Sequence, residues 1–251
     1  MRIYAVTKKG KNKADNEDRL LINKTILSDG CFFVDEYKDT GGAVTILAVA
    51  DGVGGNNAGA TASHFVSGRL SDLRNNEPEY LRTHIKSINT ELIEKSNANP
   101  DFHKMATTLS GLAITDGQAT LFHIGNTRIF TTTNKYLKQI TTDHTEVGTL
   151  LRTGKLTEDE AAVYSRRNVI NACLGANDEN LIHSLIVENI QNFENMARIV
   201  MTSDGVHEYV SIDEMEDILE IDTGNLEKCR MIVDKALQNG STDDISIILV
   251  V

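Results

Sequence analysis

Apolar positions along the chain gather into short runs set off by turn-forming residues. The runs are "RIYAVT", "RLLINKTIL", "CFFVDE", "AVTILAVA", "LSGLAIT", "QATLFHI", "TRIFTTT", "ARIVMTS" and "ISIILVV". Their length and alternation predict β-strands, and the alternation is clearest in "QATLFHI" and "RIFTTT". Asp116-Gly117 lies between two such runs and predicts a hairpin. Hairpin connections join antiparallel neighbours, so antiparallel sheets are expected rather than a doubly wound parallel one.

Helical periodicity is rarer. Leu81, Ile85, Ile88 and Leu92 share one face of "PEYLRTHIKSINTELIEKSN". Ser211 and Glu214 stand at capping-box spacing at the head of "SIDEMEDILE". "NLEKCRMIVDKALQNG" carries an apolar stripe of Cys229, Ile232, Val233, Ala236 and Leu237 and stops at Asn239-Gly240. A further helix is expected over Asn57 to Leu73. Many antiparallel strands with a few amphipathic helices give an α+β class, with helices covering two sheets from outside.

The chain has 251 residues and no break in composition, which suits one large domain or two small ones. A formal charge of −11 without a long basic run argues against nucleic acid as a partner. No apolar run approaches membrane-spanning length, and "MRIYAVTKKG" does not read as a signal peptide. Cys31, Cys173 and Cys229 are odd in number and far apart, as expected of reduced thiols in a cytoplasmic protein.

Acidic residues recur where strands meet loops. Asp51 ends "AVTILAVA" ahead of a glycine-rich turn, and Asp204-Gly205 ends "ARIVMTS". Asp243-Asp244 opens the last strand, and Asp15, Glu17 and Asp18 cluster in "KADNEDRL". One Asp-Gly is ordinary turn chemistry, and Asp116-Gly117 is read as no more than that. Four such groups, if they converge, repel one another unless a cation lies between them. Oxygen donors alone suit Mg²⁺ or Mn²⁺, and two such ions can activate water for attack at phosphorus. The glycine turn matches neither the dinucleotide fingerprint nor the P-loop. Small residues there would let a backbone carbonyl approach a metal.

Eight segments in order complete the pattern: "ADNEDRL", "AVADGVGG", "MATTLSGLAI", "LFHIGNTRIF", "TTDHTEVGTLLRTGKLTEDEA", "NVINACLG", "MTSDGVHEYVS" and "STDDISIILV". Together they resemble the metal-dependent protein serine/threonine phosphatases of the PPM (type 2C) family, in the bacterial single-domain form. The resemblance implies one domain over residues 1–251, a four-layer α-β-β-α sandwich and a site between the sheets. It implies that Asp51 bridges two Mn²⁺ or Mg²⁺ ions and that the Gly52 carbonyl binds the second. Asp204 and Asp243 would hold the first, Glu17 would reach the second through water, and Asp18 would support the cluster. The implied reaction is direct hydrolysis of phosphoserine or phosphothreonine by metal-activated water, reversing a serine/threonine kinase, by a cytoplasmic monomer.

Three positions depart from the family pattern. Lys13 stands where many members carry a phosphate-gripping arginine, and lysine lacks the bidentate fork. Lys8, Lys9 and Lys11 lie nearby. Asn126 stands where bacterial members often place an aspartate for a third ion, so that weak third position loses a charge. Val53 replaces a histidine found in some eukaryotic members. A flap is expected over about 145–167, with Arg152, Lys155, Arg166 and Arg167 as candidate phosphopeptide contacts. His144 and His207 are expected to make structural hydrogen bonds. Two alternatives compete: a weakly active or inactive module that binds phosphoproteins, and a hydrolase of small phosphate esters on another fold.

Overall fold

The computed structural model describes residues 1–34, 43–54, 58–102, 104–166, 169–175 and 181–251. The strands are β1 (Ile3–Lys8), β2 (Asp18–Ile22), β3 (Thr25–Leu27), β4 (Gly30–Val34), β5 (Thr45–Val53), β6 (Ala106–Thr107) and β7 (Leu109–Thr115). They continue with β8 (Gln118–Ile124), β9 (Arg128–Thr133), β10 (Tyr136–Gln139), β11 (Ile186–Asn189), β12 (Ile199–Thr202) and β13 (Ile245–Val250). The helices are α1 (Ala58–Leu70), α2 (Pro78–Ala98), α3 (Glu146–Arg152), α4 (Glu158–Ala162), α5 (Asp204–His207), α6 (Ile212–Glu220) and α7 (Asn225–Gln238).

One six-stranded sheet runs β10-β9-β12-β13-β1-β4, and the second runs β11-β8-β7-β5-β2-β3 with β6 attached to β5. Every strand pairing is antiparallel. Strand alternation divides the apolar residues among three cores. Leu20, Ile22, Leu47, Val49, Met201 and Ile248 pack between the sheets. Leu21, Ala48 and Ala50 face α1 and α2, where they meet Val66, Leu81, Ile85 and Leu92. On the far side Ile245, Ile247 and Leu249 meet Met215, Cys229, Ile232 and Val233 of α6 and α7. Three apolar layers between four structural layers make the expected α-β-β-α sandwich.

Local chemistry explains most boundaries. Asp116 and Gly117 adopt φ of 50° and 74°, the left-handed pair that a two-residue hairpin needs. Ser211 and Glu214 close the expected capping box. "RLLINKTIL" is not one strand but the hairpin β2–β3, because Asn23 turns the chain at φ 56°. β5 runs past Asp51 to Val53, so this carboxylate lies inside the strand rather than at its end. The helix expected from Asn57 to Leu73 covers Ala58–Leu70, and Asn57 itself lies outside the described residues. The strand expected through "CFFVDE" is described only to Val34.

No helix among the described residues is long and apolar enough to cross a membrane. All three cysteines are free, with Cys31 exposed and Cys229 buried.

Gly111 fixes how closely β7 meets β8. A Cβ there would overlap the Phe122 ring and stand 2.7 Å from the Leu47 carbonyl oxygen. Gly111→Ala is expected to lower unfolding stability by about 1–3 kcal/mol through overpacking. Urea denaturation followed by circular dichroism checks this.

Candidate metal centre

Both sheets deliver carboxylates to one end of the sandwich. In the second sheet β2 and β5 pair in register, so Asp18 stands directly opposite Asp51. The Asp51 strand is fixed on its other side: Thr108 N–H and the Thr107 hydroxyl both donate to the Asp51 carbonyl at 2.9 Å. In the first sheet β12 hands the chain through Ser203 to Asp204, which opens α5. Ser203 N–H donates to the Ser246 carbonyl at 3.1 Å, and so ties that turn to the start of β13.

The carboxylates feel one another. Burial, then the charges of Asp204, Asp18 and Asp243, push the Asp51 carboxyl well above the usual aspartate range. Burial, then Asp243, raises Asp204, whose carboxyl also lies against that of Asp51. Burial pushes Asp18 up to about 7. Asp18 is fully buried, and neither carboxylate oxygen has a hydrogen-bond partner of normal geometry, although the Ser203 and Ser246 hydroxyls lie near.

Lys13 is the cation within this group. Its Nζ touches Asp243 Oδ1, lies 3.0 Å from Asp244 Oδ2 and 3.6 Å from Glu17 Oε2. Burial opposes the ammonium charge, but the hydrogen bonds and charges of Asp243 and Asp244 outweigh it and hold the pKa above the ordinary lysine value. Burial also raises Glu17, with Lys13 pulling the other way. Among the described residues, no three acidic, histidine or cysteine side chains stand close enough together to hold a metal ion as they are placed here.

Two residues without an assigned role in the sequence reading organise the cluster. Asp244, 1% exposed, accepts from Gly10 N–H at 2.8 Å, Glu17 N–H at 2.8 Å and Lys13 Nζ, and so folds the loop that carries Lys13 and Glu17. Gly59, at the head of α1, sits against both Glu17 and Gly52. A Cβ on Gly59 would overlap Glu17 Oε1 and stand 2.7 Å from the Gly52 carbonyl oxygen. The Asp243-Asp244 pair is legible in the sequence, but which member faces the loop is not. Gly59 lies just beyond the glycine turn, and its only signal is that small residues crowd there.

Asn126 also reaches the cluster. Its Nδ2 donates to Asp204 Oδ2 at 3.0 Å, while its buried Oδ1 has no partner. The Gly125-Asn126 turn is braced by His144, whose ring Nδ1 accepts from Gly125 N–H at 3.0 Å and whose backbone N–H donates to the Gly125 carbonyl at 2.7 Å. Burial, then His123 and Arg152, push His144 down to about 4, which leaves Nδ1 free to accept. His207 is half-buried and bonds the Thr202 hydroxyl at 2.9 Å. Both histidines thus make the structural hydrogen bonds expected of them. Val53 is exposed and supplies no proton donor.

In the segment expected to form the flap, α3 and α4 follow His144, and Thr145 bridges to Ile170. Arg166 is paired with Glu146 at 2.9 Å. Arg152 lines a groove of about 800 Å³ with Val147, Leu151 and Leu156. Lys155 is exposed, and Arg167 lies outside the described residues.

The donor set fits divalent ions. All the donors are oxygens, several carboxylates share a space where they cannot all be ionised unaided, and Asp18 and Asn126 keep unpartnered oxygens there.

The raised carboxyls carry a pH signature. A raised carboxyl pKa means that the folded protein binds more protons than the unfolded chain. These groups favour the fold while protonated, below about pH 4, and oppose it increasingly up to about pH 7, where Asp18 ionises. In EDTA the melting temperature should therefore fall across that window, and saturating Mn²⁺ should abolish the fall. Scanning calorimetry at successive pH values tests it, and a flat profile in EDTA would contradict it. Gly59→Ala should weaken Mn²⁺ binding by about tenfold or more with the circular dichroism spectrum unchanged, as read by titration calorimetry.

Comparison with known proteins agrees with the geometry. Residues 22–239 match the family model described as Protein phosphatase 2C. The chain is 31% identical over 214 residues to "Serine/threonine phosphatase stp" of Listeria welshimeri, covering 82% of this chain and 83% of that one. The crystal structure of the Mycobacterium tuberculosis serine/threonine phosphatase PstP/Ppp superposes with a TM-score of 0.78 at 26% identity, covering 99% of this chain and 98% of that one. The catalytic domain of a PstP solved with two manganese ions shares the fold, with a TM-score of 0.76 at 24% identity over 99% and 98% of the two chains. The chain belongs to the protein phosphatase 2C family, the protein serine/threonine phosphatases whose ordered motifs its sequence carries.

Proposed function

We propose that this protein removes phosphate from phosphoserine and phosphothreonine in cytoplasmic proteins, opposing a serine/threonine kinase, with Mn²⁺ or Mg²⁺ at the carboxylate cluster. The observation that carries this reading is the crowding of Asp18, Asp51 and Asp204 at the junction of the two sheets, with Asp18 fully buried beneath the other two half-buried carboxyls. Asp51, Asp204, Asp243, Glu17 and the Gly52 carbonyl would hold the ions, with Asp18 in support and Asn126 at a weaker third position. Bound there, the ions supply Lewis acidity, which activates water and neutralises phosphate charge.

The chain's own groups do the rest. Burial, reinforced by neighbouring carboxylates, raises the proton affinity of Asp51, Asp18 and Asp204, and a cation bound among them would favour their ionised forms. Asn126 Nδ2 fixes the Asp204 carboxylate through its hydrogen bond. Lys13 brings a positive charge toward the phosphoryl oxygens, as a point charge rather than a fork. No cysteine or histidine nucleophile is required, and the histidines that approach the cluster are committed to hydrogen bonds.

The test is hydrolysis of a phosphothreonine peptide with Mn²⁺, Mg²⁺ or EDTA, beside the Asp51→Ala variant. Metal-dependent release of phosphate is expected, lost in EDTA and reduced on the order of a thousand-fold or more in Asp51→Ala. A folded, Mn²⁺-binding protein that releases no phosphate would refute the reading.

A further inference from the structure

Strand alternation in β2 sends neighbouring residues to opposite faces. Leu20 and Ile22 pack between the sheets and Leu21 packs toward α1. Asp18 therefore points inward with the acidic cluster, and Arg19 points outward under α1. There it lines a hollow of about 450 Å³ with Asp15, Thr61, His64 and Lys95.

Arg19 and Lys95 bring two positive charges to the hollow against the one negative charge of Asp15, the nearest in effect of the acids that act on Arg19. Arg19 is only 7% exposed. Its Nη1 donates to the carbonyls of Asn16 and Asp18, but its buried Nε has no acceptor. Lys95 Nζ lies over the rings of Phe65 and Phe102, at 5.9 Å and 5.7 Å, and makes no ion pair among the described residues. His64, on the exposed side of α1, likewise has no polar partner among the described residues. Asp15 is the acid among these lining residues. On a chain of net charge −11, such a cluster is not a by-product of composition. A buried, half-satisfied guanidinium favours an oxyanion that can accept from it.

The position of the hollow suggests where that oxyanion comes from. Asp15 and Arg19 flank Glu17 and Asp18 in sequence, and α1 supplies both Gly59 at the metal cradle and His64 at the hollow. We propose that this hollow is a second anion subsite. It takes a carboxylate or phosphate side chain of the protein substrate, beside the phosphoresidue bound at the metal centre. The inference rests on the phosphatase reading above and adds a preference for acidic or multiply phosphorylated sequences.

Lys95 and His64 are exposed and outside the catalytic machinery, so Lys95→Gln with His64→Gln is the test variant. The substrates are phosphothreonine peptides with glutamate, phosphoserine or glutamine placed at successive positions on either side. The wild-type protein with Mn²⁺ should show a KM roughly tenfold lower for the anionic peptides at one or two positions. The double variant should lose that preference while its turnover of p-nitrophenyl phosphate is unchanged. Glutamate and phosphoserine peptides distinguish the two sources of the anion. Equal KM values for all peptides, or a preference that survives in the double variant, would overturn the subsite and leave the phosphatase reading intact. If no phosphopeptide is turned over, that reading falls instead. Fluorescence anisotropy of the same labelled peptides then decides the hollow: a charge preference lost in the double variant supports it, and no preference in the wild type overturns it.

Discussion

The crowding of carboxylates out of water, where the two sheets meet, is the constraint around which this end of the molecule is arranged. Hydrophobic burial in three apolar layers holds the sandwich together. None of that explains why Asp18 lies fully buried with no hydrogen-bond partner of normal geometry among the described residues, opposite a second, half-buried aspartate. A fold optimised for stability alone would place neutral residues there. The site persists because both sheets are held rigidly by long in-register ladders. The strain of like charges cannot be relieved by letting a strand swing away.

Lys13 and Asp244 show how the protein limits that strain. Asp244 spends its oxygens on Gly10 N–H, Glu17 N–H and the Lys13 ammonium, so it acts as an anchor for the loop and not as a free acid. Lys13 returns one positive charge to the cluster. The glycines complete the arrangement by letting backbone come close: Gly59 leaves room for the Glu17 carboxylate beside the Gly52 carbonyl.

Much of this was legible in the sequence. Alternation gave the strands, Asp116-Gly117 the hairpin, and Ser211 with Glu214 the helix start, because each depends on local chemistry. The acids at strand ends were also legible as a group. Their convergence was supplied by the family resemblance, since the pairing of β2 with β5 and of β12 with β13 is non-local. Short elements such as α3, α4 and β10 escaped notice, being too brief to show a period. The division of labour between Asp243 and Asp244 escaped too, since adjacent residues differ in role only through the loop that folds over one of them. Nothing in the sequence marks Arg19, because the hollow it lines is completed by residues of α1 and α2 remote in the chain.

The acidic centre draws on residues from nearly the whole length of the chain. The loop bearing Lys13 and Glu17 is fastened by Asp244, and β1 is paired with β13. During synthesis, therefore, the ribosome releases Glu17, Asp51 and Asp204 well before the residues that complete the site. A nascent chain has no finished centre until positions 243 and 244 have emerged and β13 has inserted between β1 and β12. On the function proposed above, a chain ending before β13 would lack Asp243 and the Asp244 anchor of the Lys13–Glu17 loop.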